Sequence, residues 1–253
     1  MRCPRIFERA SHMWVEYVPQ AEKPIDATDH LRKMGALAAI AFGCGATDLH
    51  MENVIATSEG PIPVDLETLL GADVETGSAS AYEAARQFLN ESPLGTGVLP
   101  LGVQVSGGGE LEISALCGGL YPTRGRFEQL LDPYSDGIRI ELTDGLTGMA
   151  KNLPPGLARS DLAANASDIR EAFDDTCDEI WNHREAIAAS VAGVRDSLVR
   201  VIVRPTNLYD VVRRAFYHPR YLTSTLARER LLHGLWKGLD EHRLVTGELC
   251  ISE

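Results

Sequence analysis

The amino-acid sequence predicts a mixed α+β fold that is mostly α-helical. Apolar residues recur at helical spacing after Asp26 and again after Ser167, and each stretch is long enough for several helical turns. Between them, residues 54–64 contain two short apolar runs separated by turn residues, which is typical of a β-hairpin. With 253 residues and 44% hydrophobic content, the chain can bury a substantial core as one large domain or two small ones.

Charge and cysteine content narrow the class of protein. The net charge is −12, from 24 Lys and Arg against 36 Asp and Glu, which argues against a nonspecific nucleic-acid binder. The five cysteines are an odd number without a Cys-x-x-Cys pair, which favours a reduced cytoplasmic protein with no zinc site. No secretory signal follows Met1, and the apolar run 34–46 is too short to span a bilayer. We therefore expect no nucleic-acid partner and no membrane span.

One strand and one helix are predicted ahead of a polar loop. Residues 14–18 have strand character, which Pro19 ends. A helix is expected from Asp26, which suits its N-terminus, to Gly43 and Gly45, which stop it. Its apolar positions keep helical spacing and should face the core: Leu31, Met34, Leu37, Ala38 and Ala41.

Acidic and amide side chains crowd the loop after this helix and the segment after the hairpin. Asp48, His50 and Asn53 lie in the loop, and Asp65 and Glu67 follow the hairpin. Kinases place a catalytic Asp and a metal-holding Asn on one loop, spaced as Asp-Leu-x-x-x-Asn, and a second metal-holding Asp beyond a β-hairpin. Asp48 and Asn53 have that spacing, and Asn53 with Asp65 or Glu67 would offer Mg²⁺ the oxygen ligands it prefers. The alternative is a solvated polar loop without chemistry.

A loop-rich middle and further helices are predicted for the rest of the chain. We expect a helix around 82–88 and a hairpin around the glycine turn 107–109. Ser167 suits the N-terminus of one long helix whose apolar positions run to Leu198.

The motif in the loop and after the hairpin resembles the dehydratase domain of type II lanthipeptide synthetases (LanM). It reads Gly-Ala-Thr-Asp-Leu-His-x-Glu-Asn over 45–53 and Pro-Val-Asp-Leu-Glu-Thr over 63–68. Its core, Asp-x-His-x-x-Asn, also resembles the catalytic loop of phosphoinositide-type kinases. Segments 95–100 and 113–116 extend the resemblance. It implies a kinase-like (lipid-kinase-like) large lobe with additional helices, without the small lobe.

The resemblance also implies an activity and roles for the loop residues. Members of the family phosphorylate Ser and Thr of a precursor peptide with ATP and then eliminate the phosphate, leaving dehydroalanine or dehydrobutyrine. Asp48 and His50 would act on the hydroxyl nucleophile, one as general base and the other as its orienter, in an order left open. Asn53 and Asp65, with Glu67, would hold Mg²⁺ and through it ATP.

A second motif, near the end of the chain, has two interpretations. A short strand is predicted at 199–203, followed by a helix that Thr206 would cap. From the residues alone, Thr206 is a helix cap and Arg200 is a solvated strand residue. The pattern Arg-x-x-x-Arg-Pro-Thr-x-x-Tyr over 200–209 resembles the family segment whose Arg and Thr are implicated in phosphate elimination. The resemblance assigns those roles to Arg200 and Thr206.

Parts of the family pattern are missing from the sequence. Residues 14–18 resemble the hinge between kinase lobes, and no lysine lies in a strand before them, so we expect a truncated enzyme whose small lobe is on a separate or fused chain. The zinc ligands of the family's cyclase domain are also absent. Exposed apolar surface is expected where the small lobe would dock. The expected divisions are a hinge-like segment (1–24), catalytic and metal loops (25–70), an insert and loop-rich middle (71–166) and a helical elimination region (167–253).

Two other functions remain open. A small-molecule or lipid kinase would share Asp48, Asn53 and Asp65 but would not need Arg200 and Thr206 together. A noncatalytic peptide-binding remnant is favoured by the missing lysine. ATP turnover separates the remnant from both enzymes.

Overall fold

A computed structural model describes residues 2–70, 80–105, 109–120, 126–132, 135–137, 139–144, 150–194 and 206–236. Its helices are α1 (Ala27–Gly43), α2 (Ala81–Asn90), α3 (Arg159–Ala164), α4 (Ala166–Asn182), α5 (Arg184–Ala192), α6 (Thr206–Phe216), α7 (Pro219–Leu222) and α8 (Thr225–Trp236). Its strands are β1 (Ile6–Glu8), β2 (Met13–Val15), β3 (Val54–Thr57), β4 (Gly60–Pro63), β5 (Val103–Val105), β6 (Gly109–Leu111), β7 (Arg126–Leu131) and β8 (Arg139–Asp144).

Helical residues outnumber strand residues in these ranges, and the strands form four separate antiparallel pairs in chain order. The described structure is thus a mixture of helices and small sheets, and the kinase-like large lobe stays a prediction. None of the helices in the described ranges is long and apolar enough to cross a membrane.

Helix α1 begins at the predicted N-cap and forms the centre of the core. The Asp26 side chain accepts hydrogen bonds from the backbone amides of Thr28 at 2.9 Å and Asp29 at 3.3 Å. These bonds satisfy two amides that have no partner within the first turn. The apolar positions predicted to face the core are all buried: Leu31, Met34, Leu37, Ala38 and Ala41. The prediction for this helix is therefore confirmed.

Helix α4 packs along α1 and covers one side of it. The two backbones approach so closely at Gly35 that an added Cβ would lie 2.2 Å from the carbonyl O of Ile169. At the rim of this contact, Arg32 of α1 pairs with Glu171 of α4 at 2.8 Å. Only a residue without a side chain allows this approach, so Gly35 sets the distance between the helices.

The single long helix predicted from Ser167 is wrong in its start and its continuity. Asn165 is the N-cap of α4, α3 ends immediately before it, and Ser167 lies inside α4. At the other end the backbone leaves the helix at His183, with φ −103° and ψ 10°, and resumes as α5. Because no Gly or Pro lies at either break, apolar spacing could not reveal them. The predicted end of the helix lies outside the described residues.

The first hairpin, β1–β2, differs from the strand predicted at 14–18. β2 ends at Val15, and the chain then turns inward so that Val18 is buried. The large apolar side chains of the hairpin are more than half exposed: Ile6, Phe7, Met13, Trp14 and Val15. The segment predicted to be hinge-like therefore carries exposed apolar surface.

The other hairpins and two of the remaining helices lie close to positions where sequence analysis expected or did not expect an element. The pairs β3–β4 and β5–β6 and the helix α2 confirm the elements expected at 54–64, around 107–109 and around 82–88. The pair β7–β8 lies in the middle region, where sequence analysis predicted no strands. α6 begins at Thr206, where a helix start was predicted, and the strand predicted at 199–203 lies outside the described residues.

Candidate active site

The polar loop that follows α1 has a constrained backbone. Asp48 has a φ of +64°, a left-handed conformation that residues other than glycine rarely adopt. Its carbonyl O accepts a hydrogen bond of 2.8 Å from the side-chain Nδ2 of Asn53, and the backbone amide of Asn53 donates to the carbonyl O of His50 at 2.9 Å. Leu49 and Met51 are buried and anchor the loop in the core. These two hydrogen bonds therefore join Asn53 to Asp48 and His50 and close the loop.

The β3–β4 hairpin returns the second acidic segment to this loop. Just beyond the paired strands, the amide of Val64 donates to the carbonyl O of Asn53 at 2.9 Å. Asp65 is the next residue, so its backbone lies beside Asn53, as the turn chemistry predicted. The Glu67 amide donates to Asp65 Oδ1 at 3.4 Å, which keeps both carboxylates in one turn.

Asp48 is influenced by burial and by the neighbouring charged groups. Burial raises the pKa of Asp48 above its ordinary value; the His50 ring opposes this increase, and the Asp65 and Glu67 carboxylates add to it. This effect of like charges follows from their proximity, because each carboxylate disfavours ionisation of the next. The electrostatic coupling therefore joins the loop to the segment after the hairpin.

His50 has a defined hydrogen-bond partner on one ring nitrogen. Its Nδ1 accepts a hydrogen bond of 3.2 Å from the Glu52 amide, and its Nε2 lies 3.7 Å from Asp48 Oδ1. A neutral imidazole has one donor and one acceptor nitrogen. Because Nδ1 is the acceptor here, the proton of the neutral ring is on Nε2, the nitrogen nearer Asp48.

Two motifs that sequence analysis could not place lie directly behind the loop. The Leu49 amide donates to the carbonyl O of Thr96 at 2.9 Å, and the Met51 amide donates to the carbonyl O of Ile113 at 2.8 Å. These contacts join positions that are far apart in the chain. The segments around Thr96 and Ile113 thus support the backbone that carries Asp48, His50 and their neighbours.

Gly97 brings one of these supports into direct contact with the loop. It has a φ of +80°, and an added Cβ would lie 3.0 Å from the amide N of Leu49 and 3.3 Å from that of His50. Both the conformation and the space require glycine. Sequence analysis noted the motif that contains Gly97 without a reason for it.

Asn152 supports the second segment and was missed by sequence analysis. Its Nδ2 donates to the carbonyl O of Ala115 at 2.8 Å and to that of Gly118 at 3.0 Å, and the side chain is buried. A single buried amide leaves no periodic signal in the sequence. Its importance follows only from the burial of the Nδ2 group, which must be hydrogen-bonded.

The loop and the turn after the hairpin carry oxygen donors of the kind that a small, hard cation binds. Within the described residues, no group of three or more His, Cys, Asp or Glu side chains is arranged to hold a metal ion. Mg²⁺ needs less, since one or two protein side chains with phosphate oxygens and water complete its coordination. The amide oxygen of Asn53 can serve, because its nitrogen donates to Asp48, and Asp65 and Glu67 add carboxylates.

The residues predicted for phosphate elimination are only partly described. Arg200 lies outside the described residues. Thr206 is the first residue of α6, and the description covers its backbone position but not its side chain. Their predicted approach to Asp48 and Asp65 therefore stays a prediction.

Comparison with known proteins places the chain in a family. A family model described as "Domain of unknown function (DUF4135)" matches residues 1–250. The "Lacticin 481/lactococcin biosynthesis protein LcnDR2" of Lactococcus lactis subsp. lactis is 29% identical over 225 residues, which cover 82% of this chain. The match spans 23% of that protein, so this chain corresponds to about a quarter of its relative's length. The chain therefore belongs to the DUF4135 family, which occurs in type II lanthipeptide synthetases (LanM), as the motifs of its acidic loops predicted.

Proposed function

We propose that this chain takes part in lanthipeptide biosynthesis by phosphorylating Ser and Thr side chains of a precursor peptide with ATP and then eliminating the phosphate. The observation that carries the proposal is the return of Asp65 to Asn53 through the Val64 hydrogen bond of 2.9 Å. Phosphoryl transfer needs a catalytic Asp and metal-holding residues in such an arrangement. Similarity to the lacticin 481/lactococcin biosynthesis protein supports a peptide as substrate.

Asp48 is the general base in this proposal, and His50 is its orienting partner. The Glu52 amide occupies Nδ1 of His50, so the neutral ring carries its proton on Nε2, 3.7 Å from Asp48 Oδ1. A ring in that form cannot accept the substrate hydroxyl proton at Nε2, whereas an ionised Asp48 can. The raised pKa of Asp48 brings this carboxylate closer to the working pH, which makes it a better base.

Asn53 and Asp65, with Glu67, would hold Mg²⁺ and, through it, the phosphates of ATP. The bound ion supplies charge neutralisation for the transferring phosphoryl group. The contribution of the chain itself is to hold the ligands in position. The hairpin positions the Asp65 backbone, and the 2.8 Å bond to the Asp48 carbonyl O orients the Asn53 amide.

Arg200 and Thr206 would act in the second step, in which the α-proton of the phosphorylated residue is removed and the bond from the β-carbon to the phosphate oxygen breaks. A guanidinium offers two parallel donors to the departing phosphate and stays charged at any working pH, so Arg200 suits this role. Thr206 begins α6, where a helix N-terminus adds backbone donors and a favourable dipole for an anion.

A phosphate-anchoring lysine is expected from another polypeptide segment. Kinases hold that lysine on a strand of the small lobe. Lys33 lies instead on α1, where it pairs with Asp29 at 2.7 Å, and neither Lys23 nor Lys151 lies in a described strand. This observation favours the second candidate function, a noncatalytic peptide-binding role, if no such segment is present.

Phosphopeptide formation by the full-length protein tests the proposal. Asp48→Asn and Asp65→Asn are each expected to lower the rate by about 10²–10⁴-fold, because each removes a carboxylate at the reacting centre. The product is measured by mass spectrometry after a candidate precursor peptide that contains Ser and Thr is incubated with the protein, ATP and Mg²⁺. Asp174→Asn, exposed on α4, is the matched control and should leave the rate unchanged.

Two outcomes would contradict the proposal. Unchanged phosphorylation in both site variants would remove Asp48 and Asp65 from the reaction. Absence of ATP turnover by the wild-type complete protein would favour the peptide-binding role instead.

A further inference from the structure

Thr68 connects the two acidic segments of the candidate site through its side chain. Its hydroxyl Oγ1 donates to the carbonyl O of Thr47 and accepts a hydrogen bond from the Thr47 amide at 3.3 Å. Thr47 immediately precedes Asp48, and Thr68 immediately follows Glu67. The Thr68 side chain thus joins the end of the Asp65–Glu67 turn to the residue that precedes Asp48.

This pair of hydrogen bonds requires a hydroxyl. A single atom must donate a proton to one group and accept a proton from another, which among the side chains of this size only Ser and Thr can do. Valine has nearly the shape of threonine but can do neither. The contact is therefore specific to chemistry rather than to volume.

Along the chain, the Thr68 contact lies between two backbone hydrogen bonds that join the same two stretches of chain. The Val64 amide donates to the Asn53 carbonyl O at 2.9 Å before it, and the Leu70 amide donates to the Cys44 carbonyl O at 3.1 Å after it. Leu66 and Leu69 pack against the core, and Thr68 adds a side-chain hydrogen bond to the loop backbone between these two backbone bonds. The carboxylate-bearing turn lies between those two backbone bonds.

Asp48 makes the position of Thr47 important. Its left-handed backbone, with a φ of +64°, persists only if neighbouring contacts determine it. Asn53 Nδ2 holds the carbonyl O of Asp48 at 2.8 Å, on the C-terminal side. Thr68 holds the peptide on the N-terminal side.

We propose that Thr68 is a positioning residue, which sets the separation between the Asp48 carboxylate and the Asp65–Glu67 turn by binding the backbone of Thr47. The inference rests on the proposed function, because that separation matters only if both segments serve one reaction. Thr68 itself touches neither the substrate nor the metal ion in this arrangement.

The test compares Thr68→Val with Thr68→Ser in the full-length protein. At saturating ATP and Mg²⁺, Thr68→Val is expected to lower kcat for precursor phosphorylation by about tenfold to a hundredfold, because misplacement of reacting groups has effects of that size. Thr68→Ser retains the hydroxyl and should restore most of the rate. Thr176→Val is the control, since it removes a hydroxyl that donates to the Ala172 carbonyl O at 2.7 Å within α4.

A second readout does not depend on turnover. Free Mn²⁺, measured by electron paramagnetic resonance, reports cation binding by the same variants, and Thr68→Val is expected to weaken it about tenfold. The thermal unfolding midpoint of Thr68→Val should stay close to that of Thr176→Val, because each loses one hydroxyl. The proposal is overturned if kcat and Mn²⁺ affinity fall only together with the unfolding midpoint and if Thr68→Ser does not restore them. Thr68 would then be a structural residue.

The remaining outcomes distinguish this inference from the proposed function. If the wild type forms phosphopeptide and Thr68→Val matches it in kcat and Mn²⁺ binding, the positioning role is wrong and the proposed function stands. If the wild type forms no phosphopeptide, the proposed function is overturned and the role of Thr68 falls with it.

Discussion

His30 and His50 lie twenty positions apart and meet opposite environments. His50 is partly exposed and bonded to the Glu52 amide, whereas His30 lies fully inside the core on α1. No hydrogen bond of normal length and angle joins either ring nitrogen of His30 to a described residue. Burial lowers the pKa of His30 to about 4; Asp29 opposes this, Lys33 adds to it, and the Asn152 backbone opposes it least. A residue type that titrates near neutral pH is thereby kept neutral in the fold.

Acidification is expected to destabilise the protein through His30. Its folded-state pKa of about 4 lies below the ordinary 6.5, so the unfolded chain takes up the proton first as the pH falls. This contribution to stability is therefore complete above the ordinary pKa and is lost between the two values. Linkage predicts a loss of about 2 kcal/mol in the free energy of unfolding from about pH 7 to about pH 5, measurable by denaturant titration.

His30→Leu supplies the check on this assignment. The substitution removes the titrating ring and should remove most of that pH dependence, whereas His233→Gln, exposed on α8, should preserve it. The same pH dependence in wild type and His30→Leu would show that other groups cause it.

At the scale of elements, the active-site loop depends on segments that carry no candidate catalytic residue. The short 3-10 helix Pro93–Thr96 accepts a hydrogen bond from the Leu49 amide through the Thr96 carbonyl O, and the Ile113 carbonyl O accepts one from the Met51 amide. Gly97 is the point of closest approach. The loop is thus placed by a layer behind it as much as by α1 and the β3–β4 hairpin.

Gly97→Ala is expected to displace the loop. Its Cβ would lie 3.0 Å from the Leu49 amide N and 3.1 Å from the Leu49 carbonyl carbon, both backbone atoms that cannot rotate away. We expect a loss of about 1–3 kcal/mol in unfolding free energy, together with at least about tenfold slower phosphorylation in the complete protein. Denaturant titration and the phosphopeptide assay measure the two effects.

Gly119→Ala separates contact from backbone conformation. Gly119 also has a positive φ, +89°, but no heavy atom lies within 4 Å of its added Cβ among the contacts described for it. It should lose about 1 kcal/mol of stability from the conformation alone and keep its activity. Equal losses of activity in the two variants would mean that Gly97 acts only through stability.

At the scale of the whole molecule, the proposed function depends on the position of residues 200–206 relative to the two acidic segments. The main core joins α1 and α4 to the loop and its supports, while α6, α7 and α8 contact one another. The proposed elimination requires Arg200 and Thr206 to share a cavity with Asp48 and Asp65. Phosphorylation and elimination would then use one site in turn.

Arg200→Ala and Thr206→Ala are expected to separate the two reactions. In the complete protein each variant should still consume ATP but release phosphorylated peptide that is not dehydrated, because the departing phosphate loses its donors. Mass spectrometry distinguishes addition of phosphate from loss of water. Arg170→Ala, exposed on α4, is the control and should give dehydrated peptide. Full dehydration by both site variants would return Thr206 to a helix cap and Arg200 to a solvated residue.

Local spacing was enough to predict the parts of the site that are close in sequence. The capping by Asp26, the buried stripe of α1 and the β3–β4 turn each depend on residues a few positions apart, and all three are observed. The same spacing brought Asp65 to Asn53, because a hairpin of known length returns the chain to its start. The long helix from Ser167 was wrong, because a one-residue departure at His183 does not disturb an apolar period.

The sequence by itself determined which residue types could carry the chemistry, their spacing and the family to which they belong. Only the tertiary structure decided how they are held: which nitrogen of His50 meets Asp48, why Gly97 must be glycine, and that Thr68 binds Thr47. Orientation of a ring follows from the hydrogen bond on its other side, and a close approach follows from packing. The contacts behind the loop join residues more than forty positions apart, such as Leu49 and Thr96. Such pairs leave no period in a single sequence, because each partner is selected by its neighbour in space.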